Sequence, residues 1–436
     1  MCDCTTCNAR IAALEKKLET VEGLLRLYVN PHMPSSKRLH EGTPKEESLE
    51  APPKKRGAPF GHEGATRKTR APDDLIDLKP QKCKCGSNKI EILKTLSKIV
   101  EDVEVKSVVT QYTSYKCKCK NCGNVFQTLH ELLPKKGDFG PNLLSLWTML
   151  HYHGAVPFER LSKISEKCFK TSITPAGVQN AIYGASQTFQ PFFDSVKAAA
   201  PVSDYMRSDE TSYSFNGEKY WLWNFSNWDA TLVLLRNNRS SKVPLEVLGE
   251  NYGGVLNTDC YLGYDPINAR AKQKCWAHLL RDAKEAAETH REGKRLYAIL
   301  KRMYAYIKRV KLAGGENSVK VLNWIKRKKG QIWALMRQKW RQDLTRRIVK
   351  RMARYLDDWF TCLLFDFVEA TNNGSERDVR KNVLARKISG LHRSERGLHA
   401  REVMMSLLLT LARRGENAYD FVAEGLRKNN LNPNFN

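Results

Sequence analysis

The sequence predicts a multidomain α+β protein with an α/β core interrupted by a long helical insertion. Three observations carry that expectation. Residues 208–225, SDETSYSFNGEKYWLWNF, read as a β-hairpin, because Asn216-Gly217 tolerates the positive φ of a type I′ turn and the flanking runs are rich in Tyr, Phe and Trp. Strand-like and helix-like segments follow to residue 280, and residues 281–370 then turn helical and strongly basic. Upstream, the cysteines fall in short groups.

A chain of 436 residues has room for several cores. The formal net charge of +26 attracts polyanions, nucleic acid foremost, while 41% hydrophobic content argues against a merely solvated basic surface. No run nears the about 20 apolar residues of a membrane span, and no signal peptide opens the sequence. A cytoplasmic location follows, with no membrane partner. Twelve cysteines are too sparse and too clustered for a disulfide scaffold, so metal chemistry in a reducing compartment is expected.

In residues 1–30, Ile11, Leu14, Leu18, Val21, Leu25 and Tyr28 form a heptad seam, which suits a short dimerising zipper or a helix packed on its own protein. Cys2, Cys4 and Cys7 precede it without a fourth ligand and stay unassigned. Residues 31–75 are Pro-rich and polar, and cannot bury enough apolar surface to fold alone. Their basic tracts, with Lys54, Lys55, Arg56, Arg67, Lys68 and Arg70, suit a flexible arm along DNA phosphates; the plainer reading is a linker.

Residues 76–135 hold two cysteine knuckles joined by a β-rich stretch, Lys89 to Tyr115. Cys83 and Cys85 with Cys119 and Cys122 make a four-thiolate zinc ribbon, for which Cys117 is a substitute ligand; free thiols are the alternative. Four protein ligands leave no open position, so such a Zn²⁺ is structural. Residues 136–200 are helical, with Thr174 as an N-cap before Pro175, and read as a helix-turn-helix-like DNA reader or a helical spacer.

The first part of the core occupies residues 201–280, and residues 371–436 supply its C-terminal part and a last helix. Strand alternation puts Asp209, Thr211, Tyr213 and Phe215 on one, covered face and points Glu210 away, which makes Glu210 the control for Asp209. Ala230 to Arg236 is a third strand, Pro244 to Leu248 a helix, and Val255 to Asp259 a strand ending on a second acid. Cys275-Trp276-Ala277-His278 opens an amphipathic helix. After the insertion, residues 371–436 begin with TNNGSERDVRKN, where Asn373 or Gly374 caps a helix that carries Glu376 in its first turn and Arg380 four residues on.

Three strands with an acid on the first, a helix, a strand ending in an acid and a later helix with an acid match the ribonuclease-H-like fold of polynucleotidyl transferases. Such a cluster suits two hard divalent cations, Mg²⁺ or Mn²⁺, held about 4 Å apart. The segments SDETSYSFNGEKYWLWNF, GGVLNTDCYLGY, CWAHLLRDAKE, TNNGSERDVR and RKISGLHRSERGLHAREVMMSLL resemble transposases of the insertion sequence 66 family, as do NPHMPSSK, KRGAPFGHEG and LHYHGAVPFERLS. The resemblance implies a DDE transposase that cuts at element ends and joins them to target DNA. It implies Asp209, Asp259 and Glu376 as the catalytic, metal-holding acids. CWAH is similar to a Cys-x-x-His signature of such enzymes; two residues alone do not make a metal site, so Cys275 and His278 are read as structural or DNA-facing.

Arg377, Arg380, Arg386, Lys387, Arg393 and Arg396 are placed to hold phosphates near Glu376. Expected partners are double-stranded DNA at the terminal repeats and target, further copies of the chain as a dimer or higher oligomer, and accessory proteins of the element. The competing readings are an inactive or domesticated copy that binds DNA as a repressor, and a structure-specific nuclease on the same fold.

Overall fold

The computed structural model describes residues 71–78, 82, 85–103, 105–390 and 392–431. The heptad seam, Cys2, Cys4, Cys7 and Cys83, and the arm residues Lys54, Lys55, Arg56, Arg67, Lys68 and Arg70 lie outside them. The chain divides into two units, Met1–Asp102 and Val103–Asn436. In the first, the described residues hold neither helix nor strand.

The stretch from Lys89 to Tyr115 departs from expectation, since its described residues form no strand. Its β-branched residues are exposed, Val108 and Val109 among them, and strand propensity without a face to pack against does not make a sheet. Pairing starts just beyond, where β1 (Lys116–Lys118) and β2 (Val125–Gln127) lie antiparallel. They frame a tight loop in which Gly123, at φ 75°, donates its N–H to Cys119 O at 2.9 Å.

Four helices follow: α1 (Pro141–Thr148), α2 (Phe158–Phe169), α3 (Pro175–Gln187) and α4 (Gln190–Ala199). A wide π-type turn, Met149–His153, separates the first two. Thr174 caps α3 as expected, its hydroxyl accepting from Gly177 N.

The main sheet runs β5-β4-β3-β6-β7. β3 (Tyr205–Phe215) and β4 (Glu218–Ser226) form the hairpin, with Phe215 opposite Glu218 and φ of 50° and 83° at Asn216 and Gly217, the I′ signature. β5 (Thr231–Arg236) continues the meander, and α5 (Lys242–Leu248) crosses to β6 (Asn251–Thr258), which lies parallel to β3. A fifth strand that sequence reading missed, β7 (Asn268–Lys274), pairs parallel to β6. Its residues, NARAKQK, lack strand-like apolar alternation, and the backbone ladder decides instead.

Helices α6 (Trp276–Thr289), α7 (Arg291–Ala313), α8 (Val319–Met336) and α9 (Asp343–Arg354) follow. α10 (Asn373–Ser389), α11 (Glu395–Arg414) and α12 (Ala418–Leu431) complete the mixed α/β fold.

In β3 and β6 alternation divides neighbours between two cores. Met206 and Leu256 pack with α1 to α4, α11 and α12, whereas Tyr205 and Val255 pack with α6 to α9 around Trp276, Trp324 and Trp359; β4 and β5 add both of their faces to the first core. The open edge of β5 is closed by α11. Thr231, Val233 and Leu235 donate their N–H groups to Thr410 Oγ1 (3.0 Å), Ser406 Oγ (2.9 Å) and Glu402 Oε1 (2.6 Å), acceptors spaced one helical turn apart. Among the described residues no helix is long and apolar enough to cross a membrane.

Candidate active site

Parallel pairing of β3 with β6 brings two acids to the same edge. Arg207 sits opposite Asn257, and two residues beyond each come Asp209, midway along β3, and Asp259, just past the carboxyl end of β6, where open α/β sheets place their ligand crevices. Asp259 follows the last residue of β6 and turns the chain, its Oδ1 accepting from Tyr261 N at 2.9 Å.

The third acid arrives on α10. Asn372, rather than Asn373 or Gly374, is the N-cap, and its side chain does not cap the helix: it donates to Ser208 O on β3 at 2.7 Å. Next to it Asn224 of β4 donates to Ser375 Oγ at 2.8 Å. Gly374 is required by close approach, because a Cβ there would overlap the Arg207 guanidinium, which is buried and bonded to Glu369 at 2.7 Å. These ties lay the first turn of α10 across β3 and hold Glu376 toward Asp209.

The electrostatics follow. Burial raises the Asp209 pKa well above the usual carboxylate range, and the charges of Glu210, Asp259 and Glu376 push it further. Glu376 does not pair with Arg380 as the four-residue spacing suggested. Its Oε1 lies 3.5 Å from His278 Nδ1 and its Oε2 3.8 Å from Arg281 of α6. A cleft of about 220 Å³ opens beside Asp259, walled in part by His278, Tyr261 and Arg351.

The expected exposed placing of Glu210 is corrected. Its side chain is 2% exposed, and both oxygens are engaged, Oε1 by Arg239 at 2.7 Å and Oε2 by the Tyr264 hydroxyl at 2.6 Å. Alternation does turn it to the opposite face from Asp209, but that face is covered as well. Arg239 is itself held between the rings of Trp221 and Tyr261, its guanidinium 4.6 and 4.2 Å from their centroids. Lys274, fully buried, donates to Thr258 Oγ1 at 3.2 Å and Asp259 O at 3.1 Å, fixing the end of β6. Nothing in the sequence pointed to Lys274, which reads as a surface cation until β7 is placed.

Of the expected phosphate-holding cations, Arg377, Arg380, Lys387, Arg393 and Arg396 are exposed. Arg386 is half-buried, and burial lowers its pKa, so it belongs with the interior of α10. Cys275 and His278, read as a pair without a third ligand, meet one: Cys275, His278 and Glu376 place one ligand atom each within 4.8 Å of the others. Among the knuckle cysteines, Cys85, Cys117 and Cys122 are exposed free thiols. The Cys119 thiol is lowered by the backbone amides of Cys122 and Asn121 and by the Cys122 side chain.

The chain is 22% identical over 393 residues to the uncharacterized protein y4hP of Sinorhizobium fredii (strain NBRC 101917 / NGR234), covering 78% of this chain and 70% of that protein. The family described as Transposase IS66 family matches residues 136–400, more than half of the 436. The chain therefore belongs to the IS66 transposase family.

Proposed function

We propose that this protein is a DDE transposase that performs metal-dependent cleavage and strand transfer at the ends of an insertion sequence. The observation that carries the proposal is the convergence of acidic charge on Asp209, buried and with Asp259 and Glu376 among the charges acting on it. Family membership and the strand order β5-β4-β3-β6-β7, with β3 and β6 parallel, support reading the core as ribonuclease-H-like.

The donor set fits two Mg²⁺ or Mn²⁺ ions, since carboxylate oxygens suit hard cations and Asp209 is left with acids rather than a cation beside it. Asp209, Asp259 and Glu376 would hold them. Bound there, the metals supply activation of the attacking oxygen and charge stabilisation of the leaving one. The protein's own share is positional. Asn372 and Ser375 seat α10 on the hairpin, and Lys274 pins the strand end that leads to Asp259.

The exposed cations Arg377, Arg380, Lys387, Arg393 and Arg396 would meet phosphates of the element ends and the target duplex. A structural Zn²⁺ would take Cys119 and Cys122 as ligands, with Cys117 of the same knuckle as a further thiolate; the amides around Cys119 already favour its thiolate. Joining two ends calls for at least two copies of the chain.

The test is an end-cleavage and strand-transfer assay with purified protein and element-end duplex in Mg²⁺. Asp209→Ala, Asp259→Ala and Glu376→Ala should each abolish both reactions while keeping end binding. Persisting cleavage in any of them overturns the assignment of that acid. Binding without cleavage in the unaltered protein would favour a repressor-like role, and cutting without joining a nuclease.

A further inference from the structure

The Cys275-x-x-His278 motif has no part in the reaction proposed above. Cys275 is the N-cap of α6, and His278 stands in its first turn. Glu376 occupies the first turn of α10. The two helix starts are tied together, because Trp276 N donates to Ala370 O at 3.0 Å and Asn372 N donates to Cys275 Sγ at 3.2 Å.

At this junction three ligand atoms of different chemistry converge. The Cys275 sulfur, a His278 ring nitrogen and a Glu376 oxygen lie within 4.8 Å of one another. His278 Nδ1 and Glu376 Oε1 are both buried and neither has a hydrogen-bond partner, although they face each other at 3.5 Å. On half-buried side chains, two solvent-shielded polar atoms that face each other without a hydrogen bond call for something between them. The bond from Asn372 N fixes the Cys275 sulfur at the junction, as an outer partner fixes a metal ligand.

We propose that Cys275, His278 and Glu376 form a binding site for a borderline-soft divalent metal of the Zn²⁺ class, with the fourth position open to water or a phosphate oxygen. Sulfur and nitrogen donors disfavour Mg²⁺ at this position, and three protein ligands leave tetrahedral coordination incomplete. Glu376 has two oxygens. Oε1 faces this site and Oε2 faces Arg281, so one carboxylate serves the junction and remains oriented by it. The site ties α6 to α10, and it stands whether or not the chain cuts DNA.

The experiment is Co²⁺ titration of the full chain after removal of bound metal, read by equilibrium dialysis and by the sulfur-to-Co²⁺ charge-transfer absorption. The knuckle thiols contribute too, so the parent carries Cys119→Ser and Cys122→Ser, and the measurement is the difference from that parent. Cys275→Ser and His278→Asn should each remove one Co²⁺ per chain, weakening binding by more than about 100-fold, beyond what removal of an outer partner does. Cys275→Ser should also remove one thiolate's share of the absorption. Should Cys275→Ser fail to fold by circular dichroism, His278→Asn decides. Unchanged stoichiometry and spectrum in His278→Asn overturns the site. Asp209→Asn should keep this metal; its loss there would also overturn the site, whereas retained metal with absent cleavage supports it and leaves the reaction to be judged separately.

Discussion

Asp209 is held where its own charge is disfavoured. Burial and the charges of Glu210, Asp259 and Glu376 all favour its protonated form, so the metal-free protein is strained at neutral pH. Asp209→Asn removes that repulsion. Its melting temperature in chelator should rise above that of the unaltered chain even as cleavage is lost, the usual opposition between a working site and stability. An equal or lower midpoint would show that the carboxylate is compensated. The neighbouring Glu210 should behave in the opposite way. Glu210→Ala leaves the Arg239 guanidinium without its acceptor and the buried Tyr264 hydroxyl with Ser208 Oγ alone. The cost should be about 2–3 kcal/mol by denaturant unfolding, below the 3–5 of a fully buried pair because Arg239 is 40% exposed. Glu218, exposed at the hairpin turn, is the better neutral control.

At the scale of elements, segments far apart in sequence complete one another's hydrogen bonds. α11 is buried along most of its length, and Glu402, Ser406 and Thr410 on it serve as the missing partner of β5. Ser406→Ala would strand the buried Val233 N–H and should cost about 1–3 kcal/mol, with a matching drop in melting temperature. An unchanged midpoint would mean that the edge is satisfied in another way. The π-type turn after α1 brings His151 into the interior, where its Nδ1 donates to Val156 O at 2.9 Å and its ring stacks on Phe158. Burial lowers its pKa from 6.5 to about 4, and burial lowers that of nearby His392 as well. A folded-state histidine with a depressed pKa stabilises fully above the unfolded value and loses that contribution as pH falls. Between pH 6.5 and 4 the protein should therefore lose about 3 kcal/mol through His151 alone, and His151→Gln should flatten the melting temperature across that window.

Over the whole molecule, what could be read in advance was what local chemistry dictates. Asn216-Gly217 announced the hairpin, Thr174-Pro175 the start of α3, and the order of strands and helix the sequence of acids. The missing parts depend on packing across the chain. β7 forms without an apolar pattern, Glu210 is buried by Tyr264 and Arg239, and Glu376 turns to His278 rather than to its helical neighbour Arg380. Charge can be read from composition, but which cations stay free to meet DNA is a tertiary matter. The net charge of +26 predicts duplex binding that weakens steeply with salt. Arg377 and Arg380 are exposed on α10 beside Glu376, whereas Arg386, two turns on, is half-buried. Arg377→Gln with Arg380→Gln should weaken duplex binding and lower the slope of log K against log salt by about 0.9 for each phosphate that is no longer neutralised. Arg386→Gln should lower thermal stability and leave that slope unchanged. A slope that falls equally in both variants would show that α10 presents no particular face to DNA and that the charge acts only as a diffuse field.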